Sequence, residues 1–89
     1  MNFEWDNAKR LANPAKHGFD FTDTLQVFRD RHLIDEARHA ATEHRLLAIG
    51  YINAVMVTVV FTLRDTRVRV ISIRKARTNE RRRLEALHS

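Results

Sequence analysis

The chain has 89 residues, of which 44% are hydrophobic and 30% are charged, and its formal net charge is +5. This length predicts a single domain over residues 1–89, and the apolar content favours a modest folded core over disorder. Because cysteine is absent, disulfides, thiol nucleophiles and thiolate metal sites are excluded. The longest apolar run, residues 55–61, is far shorter than the roughly 20 residues of a membrane helix. The N-terminus also lacks signal-peptide features, so we expect a cytoplasmic protein that does not enter a membrane.

A short strand and a first helix are predicted at the start of the chain. Residues 2–5 can form the strand, and Asp6 is typical of an N-cap, because its carboxylate can accept hydrogen bonds from the first helical turn. Pro14 lacks an amide donor and predicts a kink or a fresh turn in this helix. Gly18 follows two basic residues, a pattern typical of a helix C-terminus.

A second helix is predicted to begin after Asp20, which serves as its N-cap, with Asp23 in its first turn. Its apolar residues recur at i, i+4 and i+7, which is the spacing of one helical face. We expect this face, formed by Phe21, Leu25 and Phe28, to pack against the core.

The second half of the chain has the composition of β-strands. Two long segments are rich in β-branched and apolar residues, and Asn53 and Ala54 between them form a plausible hairpin turn. A second tight turn, at residues 64–66, leads into a further strand. The predicted strands, in chain order, cover residues 32–34, 45–52, 55–63 and 67–73.

A last helix is predicted from residue 78 to about residue 87, with Thr78 as its N-cap and with Leu84 and Leu87 as a thin apolar stripe. The whole pattern predicts an α+β fold. It consists of an antiparallel, twisted sheet in meander order, with two N-terminal helices and a C-terminal helix. We expect the helices to cover one face of the sheet, which leaves the other face free to bind a ligand.

Charge divides the chain into two unlike halves. Residues 1–44 carry a net charge of −2, whereas residues 45–89 carry +7, and 13 of the 16 cations in the chain are arginine. A basic half of this kind predicts a polyanionic partner, most often nucleic acid, and arginine suits bidentate phosphate contacts. A solvated basic surface or a surface for an acidic protein is the alternative.

Five cations lie on or beside the last predicted strand. Arg67 and Arg69 are two residues apart and therefore share one face of the strand. Arg64 lies in the turn before them, and Arg74 with Lys75 closes the strand. This concentration predicts an electropositive patch about the size of one or two phosphates.

Two features of this strand have alternative interpretations. In a regular strand Ile71 and Ile73 would fall on the arginine face, so either a bulge intervenes or that face is basic at one end and apolar at the other. The arginines could also form cross-strand ion pairs, for instance with Glu43 or Asp65. Such pairs would account for one or two of the five cations.

A second basic cluster lies on the predicted last helix. Arg77 and Arg81 share a face there, while Arg82 and Arg83 turn away from it. A solvated helix face is the simpler interpretation, although the cluster could extend a surface that binds nucleic acid.

Lys16 and His17 are the residues of the first half best suited to chemistry. A histidine can act as general acid or base at neutral pH, and a neighbouring lysine can stabilise a phosphorane, whereas a capping or exposed histidine is the ordinary alternative. The spacing of His32, His39 and His44 does not fit a metal site on a helix. We predict no metal and no cofactor.

Three sequence blocks occur in an order that spans nearly the whole chain: FEWD at residues 3–6, KHG at 16–18 and RVISIRKA at 69–76. Together they are specific, whereas any one alone would not be. With them the sequence resembles the BrnT-type toxins. Further matches lie at Lys9, Asn13, Phe21, Asp30 and in segments 27–28, 45–50 and 80–82.

The resemblance implies a toxin of a type II toxin–antitoxin pair, similar in fold to the RelE-like ribonucleases. Such a toxin would cleave RNA without a metal and arrest translation. The implied partner is a BrnA-like antitoxin, a small dimeric ribbon-helix-helix protein that binds DNA, in a complex that is commonly a heterotetramer. Contact with DNA would then occur only through the antitoxin.

The charge pattern and the resemblance together give the predicted site. We expect His17 to act as acid or base, and Arg64, Arg69 and Arg74 to stabilise charge on the phosphate, so these four are the catalytic candidates. The candidates for RNA binding are Lys16, Arg67, Lys75, Arg77 and Arg81.

Two positions depart from the family pattern. Family members usually carry a tyrosine where this chain has Leu84, so a stacking contact with a base would be absent or supplied elsewhere, for instance by Tyr51. Pro14 is also unusual and could reposition Lys16 and His17.

The sequence leaves two other classes of function open. A basic α+β module could bind RNA, or the acidic tail of a partner, without catalysing a reaction. Direct binding to operator DNA is the weaker alternative, because no helix-turn-helix pattern is visible.

Overall fold

The computed structural model describes residues 2–37 and 44–87, so His39 and Glu43 lie outside the described residues. The described part contains five strands and three α-helices, which confirms the predicted α+β class. In chain order these are β1 (Asn2–Trp5), α1 (Asn7–His17), a 3₁₀ turn (Phe21–Asp23), α2 (Thr24–Arg29), β2 (Leu33–Glu36), β3 (Leu46–Ile52), β4 (Val55–Arg64), β5 (Arg67–Lys75) and α3 (Thr78–Ala86).

The strands form one sheet in the order β1-β5-β4-β3-β2. The strands from β2 to β5 are an antiparallel meander, as predicted. Asn53 and Ala54 have φ angles of 48° and 66°, which are typical of a type I′ hairpin turn. β1 differs from the expectation of a fully antiparallel sheet, because it pairs in parallel with β5. The chain enters the sheet at this edge and returns through two helices to the opposite edge, so no local turn signals the pairing.

The segment from α1 to α2 covers the face of the sheet that carries the larger core. Phe21 and Val27 from this segment are buried against strand residues that include Val59 and Phe61. Gly50 lies on the same face of β3, where an added Cβ would come within 2.8 Å of the Val27 side chain. Glycine at this position therefore lets α2 approach the sheet closely.

Helix α1 begins and ends at the predicted residues. The Asp6 carboxylate accepts hydrogen bonds from two backbone N–H groups of the first turn, and Gly18 ends the helix in the left-handed conformation with a φ of 85°. Pro14 lies inside one continuous helix rather than at a break. The two caps and the tertiary contact of the adjacent Asn13 hold the helix together around the one missing N–H donor.

Asn13 continues the hydrogen bonding along the edge of β5. β1 pairs with β5 only as far as Val70, and beyond that point the Asn13 side chain accepts from the Ile73 N–H and donates to the Ile73 carbonyl. One amide side chain thus replaces the next residue of a neighbouring strand. This contact fixes α1 against β5, and His17 follows one turn later on the same side of the helix.

The predicted apolar stripe of the second helix is wrong at one position. Phe21 is buried, but Leu25 is 44% exposed, and the buried residues of α2 are Thr24 and Val27. The reason is the 3₁₀ turn that precedes α2, which rotates the following residues relative to a regular α-helix. Asp20 does cap this turn, accepting a hydrogen bond from the Thr22 N–H.

Helix α3 packs on the opposite face of the sheet, so the expectation that all helices share one face is wrong. Leu84 is fully buried and packs with Ile49 and Met56, whereas Leu87 is 58% exposed. β3 and β4 are apolar on both faces, which is the pattern of strands covered from both sides. The side that carries Ile49 and α3 is called the α3 face below.

Candidate functional site

A β-bulge in β5 places its arginines on one face of the sheet. Val60 pairs with Ser72 while the adjacent Phe61 pairs with Val70, so Ile71 is an extra residue without a partner of its own. The bulge that the sequence left as one of two alternatives is therefore present. Because of it, Arg69 and Arg74 both point to the α3 face although they are five residues apart.

The arginines at the start of β5 pair with one carboxylate from β1. Arg69 donates to Glu4 Oε2 over 2.9 Å, and Arg67 Nε lies 3.4 Å from Glu4 Oε1. Arg64 is the register partner of Arg67 at the end of β4 and is exposed. Two guanidinium groups thus pair with one half-buried carboxylate, and Arg64 follows next to Arg67 on the same face. These three arginines and Glu4 are called the Glu4 group.

The arginine at the end of β5 forms a different arrangement. Arg74 makes a bidentate ion pair with Glu80 of α3, with Nη1–Oε1 and Nη2–Oε2 distances of 2.8 and 2.9 Å. Glu80 also accepts from the Thr58 hydroxyl and from the Arg77 backbone N–H. The Glu80 side chain is only 5% exposed and that of Arg74 18%, so the pair is a fixed part of the interior.

Glu80 also sets the start of α3. Its carboxylate caps the Arg77 N–H, so the N-cap is Arg77 and Thr78 is the first helical residue, not the N-cap that its hydroxyl suggested. Burial alone would raise the pKa of the Glu80 carboxyl, but the hydrogen bonds from Arg74, Arg77 and Thr58 outweigh it and lower the pKa to about 2. Glu80 is therefore ionised at neutral pH.

A cleft of about 890 Å³ opens between α3 and the part of the α3 face that no other described element covers. Its sheet side is formed by Leu47 and Val60, and Asp35, Glu36 and Glu80 contribute three carboxylates. Asp35 forms an ion pair with Arg83 of α3. This space is called the α3 cleft, and the four arginines that line it are Arg45, Arg74, Arg77 and Arg83.

The structure brings only some of the predicted site residues together. Arg74 and Arg77 line the α3 cleft, whereas Arg64, Arg67 and Arg69 belong to the Glu4 group. Arg69 and Arg74 are roughly 15 Å apart along the strand at about 3.3 Å per residue. The arginines of the single patch predicted from the sequence therefore lie in two groups on one face of the sheet, and Lys75 lies on the other face.

The remaining candidates lie away from the α3 cleft. Lys75 is exposed and pairs in register with Val57, which places it on the face opposite Arg74. Arg81 is exposed on α3 and does not line the cleft. Lys16 is exposed and His17 half-buried at the end of α1, and no hydrogen bond or ion pair among the described residues joins them to the arginines.

Sequence reasoning missed Glu4 and Glu80, the two carboxylates that organise the arginines. Glu43 and Asp65 were the partners suggested by the sequence, and Glu43 lies outside the described residues. Among the described residues, Arg69 pairs with Glu4 of the first strand and Arg74 with Glu80 of the last helix. For Glu80 a signal was present, because a glutamate three residues after a helix start is typical of a capping box. For Glu4 the partner is 65 positions away, and the parallel pairing of β1 had to be known first.

The described residues contain no cluster of three or more histidine, aspartate or glutamate side chains that could hold a metal ion. Within the same ranges, no helix is long and apolar enough to span a membrane.

Comparison with known proteins identifies the family. Residues 5–80 match the family model described as the ribonuclease toxin BrnT of type II toxin–antitoxin systems. The structure is similar to the 1.1 Å crystal structure of the ribonuclease toxin BrnT of Brucella abortus, with 34% identity and a TM-score of 0.66, over 88% of this chain and 99% of that chain. No curated protein matches the sequence.

These matches confirm the resemblance seen in the three sequence blocks, and the family match covers most of the described strands and helices. The chain therefore belongs to the BrnT family, the ribonuclease toxins of type II systems, in which each toxin has an antitoxin partner.

Proposed function

We propose that this chain is an endoribonuclease that cleaves RNA at the α3 face without a metal ion. The observation that carries the proposal is the α3 cleft, in which four arginines meet and one of them is fixed by a buried carboxylate. Cleavage by attack of the 2′-hydroxyl needs positive charge at the phosphate, a base and an acid. Guanidinium groups can supply that positive charge in place of a metal.

Arg74 is the residue we assign to the scissile phosphate. Its hydrogen bonds to Glu80 and to the Lys75 carbonyl use three of its five N–H donors. The remaining two donors can bind a phosphate while the ion pair holds the group in place. An arginine held in this way loses little side-chain entropy when the substrate binds.

The Glu4 group is proposed to bind the RNA backbone beyond the cleft. Arg67 and Arg69 share the single carboxylate of Glu4, which leaves a surplus of positive charge on this part of the α3 face. This charge can attract and orient a polyanion without fixing its sequence. The exposed cations Lys75 and Arg81 are proposed to contribute to the same attraction.

His17 remains the proposed general acid or base, with Lys16 in support. Asn13 fixes the helix that carries both residues against the edge of β5 beyond Val70, on the side away from the α3 cleft. In this role His17 acts on RNA that passes over this edge. The test of this role is His17→Ala, for which we expect at least a tenfold slower cleavage with unchanged RNA binding. Unchanged cleavage would exclude His17 from the reaction.

The antitoxin is proposed to be a BrnA-like ribbon-helix-helix protein that covers the α3 cleft. A protein segment that places acidic or apolar side chains against Arg45 and Arg77 would block RNA entry directly. We propose that toxin and antitoxin form a heterotetramer in the cytoplasm, that DNA is bound only by the antitoxin, and that the toxin fold is related to the RelE-like ribonucleases.

The experiment that tests the proposal is RNA cleavage by the purified chain in the presence of EDTA. We expect cleavage to continue with EDTA, and Arg74→Lys to slow it at least tenfold because lysine cannot form the bidentate pair. Arg82→Lys is the matched control, since Arg82 is exposed on α3 and does not line the cleft.

Three results would contradict the proposal. Loss of cleavage in EDTA with recovery on adding Mg²⁺ would show that the reaction depends on a metal. Tight RNA binding without cleavage would favour the non-catalytic binding module. Equal rates for Arg74→Lys and Arg82→Lys would place the reaction outside the α3 cleft.

A further inference from the structure

The sheet side of the α3 cleft is an apolar patch surrounded by charge. Leu47 and Val60 are cross-strand partners on the α3 face, and both remain partly exposed because α3 packs against the neighbouring residues Ile49 and Met56 instead. A pair of aliphatic side chains at the bottom of an arginine-lined cleft is not needed to bind phosphate. The combination of the apolar pair and the arginines therefore indicates a ligand with both an anionic and an apolar part.

The distances within the cleft fit one nucleotide. Ser72 is the register partner of Val60, and Arg74 lies two residues further along the same face of β5, so Arg74 and Val60 are roughly 7 to 8 Å apart at the backbone. A phosphate held by Arg74 thus places its own base within reach of Val60 and Leu47. The cleft, at about 890 Å³ and open to solvent, has room for a nucleotide.

We propose that Leu47 and Val60 form a subsite for one unstacked base of single-stranded RNA, next to the phosphate site at Arg74. This proposal rests on the proposed ribonuclease function of the cleft and adds the group that the cleft recognises. The faces of the base contact the two aliphatic side chains, and the Asn79 amide at the margin of the cleft can donate to or accept from the base edge.

An RNA base fits this patch better than a protein segment does. Two aliphatic side chains cover about the area of one base ring, whereas a helix that docks in a groove presents a stripe of three or more apolar side chains. The surrounding charge is also positive on balance, because Glu80 and Asp35 pair with Arg74 and Arg83, and two exposed arginines, Arg45 and Arg77, then remain beside one exposed carboxylate, Glu36. A segment with one planar apolar group and one negative charge per unit is a nucleic-acid strand.

Methyl NMR of the full-length chain tests the proposal directly. The probes are adenosine 5′-monophosphate, ribose 5-phosphate, and a 2′-O-methyl tetranucleotide that cannot be cleaved. We expect the ring current of the base to shift the methyl signals of Leu47 and Val60 with both base-containing probes but not with ribose 5-phosphate. The methyl signals of Leu63, which lies on the opposite face of β4, should not change.

Substitution provides a second measurement. Leu47→Thr and Val60→Thr keep a strand-forming side chain but add a hydroxyl at the patch, and together they should weaken binding of the 2′-O-methyl tetranucleotide about three- to tenfold. Leu63→Thr is the matched control, because it changes an exposed apolar residue of the same strand. Binding of inorganic phosphate, which has no base, should be unchanged in all three variants.

The outcomes separate this proposal from the ribonuclease assignment, because no probe is cleaved. Shifts of equal size with ribose 5-phosphate, or shifts at Leu63 instead of Leu47 and Val60, would overturn the base subsite while leaving RNA cleavage untouched. Signals that respond only to the antitoxin would show that the patch docks a protein, which would also overturn it. If the shifts appear in a chain that fails to cleave RNA, the subsite stands and the catalytic assignment is wrong.

Discussion

Two glutamates organise the arginines of β5, and they do so in opposite ways. Glu80 serves one arginine, is buried with it, and receives further hydrogen bonds from Thr58 and the Arg77 backbone. Glu4 is shared by Arg67 and Arg69, and its side chain is 27% exposed. The same kind of ion pair therefore has two effects in β5. At the end of the strand it fixes Arg74 in the interior, and at the start it leaves a cationic surface that a ligand can reach.

The different burial of the two pairs shows that an arginine in an ion pair can still bind a phosphate. A buried pair is costly to break, because one partner is left as an uncompensated charge. A partly exposed pair, such as that of Glu4 with Arg69, contributes less to stability and is more easily exchanged for a phosphate contact. We therefore expect substitutions of Glu80 to act mainly on stability and on the position of Arg74, and substitutions of Glu4 to act mainly on RNA affinity.

The largest effect is expected for Glu80→Gln. The amide keeps the size of the side chain but leaves Arg74 buried without a counter-charge, so the free energy of unfolding should fall by roughly 2–4 kcal/mol. Chemical denaturation measures this free energy of unfolding. Glu85→Gln is the control, because this glutamate is exposed on the same helix. Equal stability of the two variants would contradict the conclusion that Glu80 stabilises the fold through its pair with Arg74.

A somewhat smaller effect is expected in acid. The pKa of Glu80 is lowered from 4.5 to about 2 in the folded chain, so its contribution is complete above pH 4.5 and is lost as the pH falls through this window. The shift corresponds to about 3 kcal/mol at most. Denaturation at several pH values should show stability falling between pH 4.5 and 2, with a shallower fall in Glu80→Gln. Parallel curves for the two proteins would contradict the assignment.

The smallest effect on stability is expected for Glu4→Gln, at about 1 kcal/mol or less. RNA affinity should rise rather than fall in this variant, because two arginines lose their shared carboxylate. We expect RNA affinity to rise about two- to fivefold at low salt, with a steeper dependence on salt concentration. Fluorescence anisotropy with labelled single-stranded RNA measures both quantities. Unchanged affinity would show that RNA does not reach the Glu4 group.

Local signals in the sequence were sufficient for most of the secondary structure. Asp6 and Gly18 fix the ends of α1, Asn53 and Ala54 form the hairpin turn, and the alternation around Ile71 indicated a bulge as one of two possibilities. Each of these features depends on a few neighbouring residues and on backbone geometry. The sequence could also locate the basic strand, because charge is visible without a structure.

The arrangement of the site could not be predicted in the same way. The parallel pairing of β1 and the packing of α3 on the second face join parts of the chain that are far apart in sequence. Only these long-range contacts decide that Arg69 meets Glu4 and that Arg74 meets Glu80. The exposure of Leu25 has a local cause, since a 3₁₀ turn shifts the phase of a helical stripe and its presence is not evident from residue types.

The bulge at Ile71 makes the whole site depend on chain length as well as on residue identity. Arginines five positions apart face opposite ways in a regular strand, and the extra residue at Ile71 is what brings Arg69 and Arg74 to one face. Deleting Ile71 would leave the two arginines four positions apart, so a regular strand would still present both on the α3 face. Inserting one residue between them, with the bulge kept, would instead turn one arginine towards the core and expose apolar side chains that are now buried. A single-residue insertion in this strand should therefore be tolerated far less than deletion of Ile71.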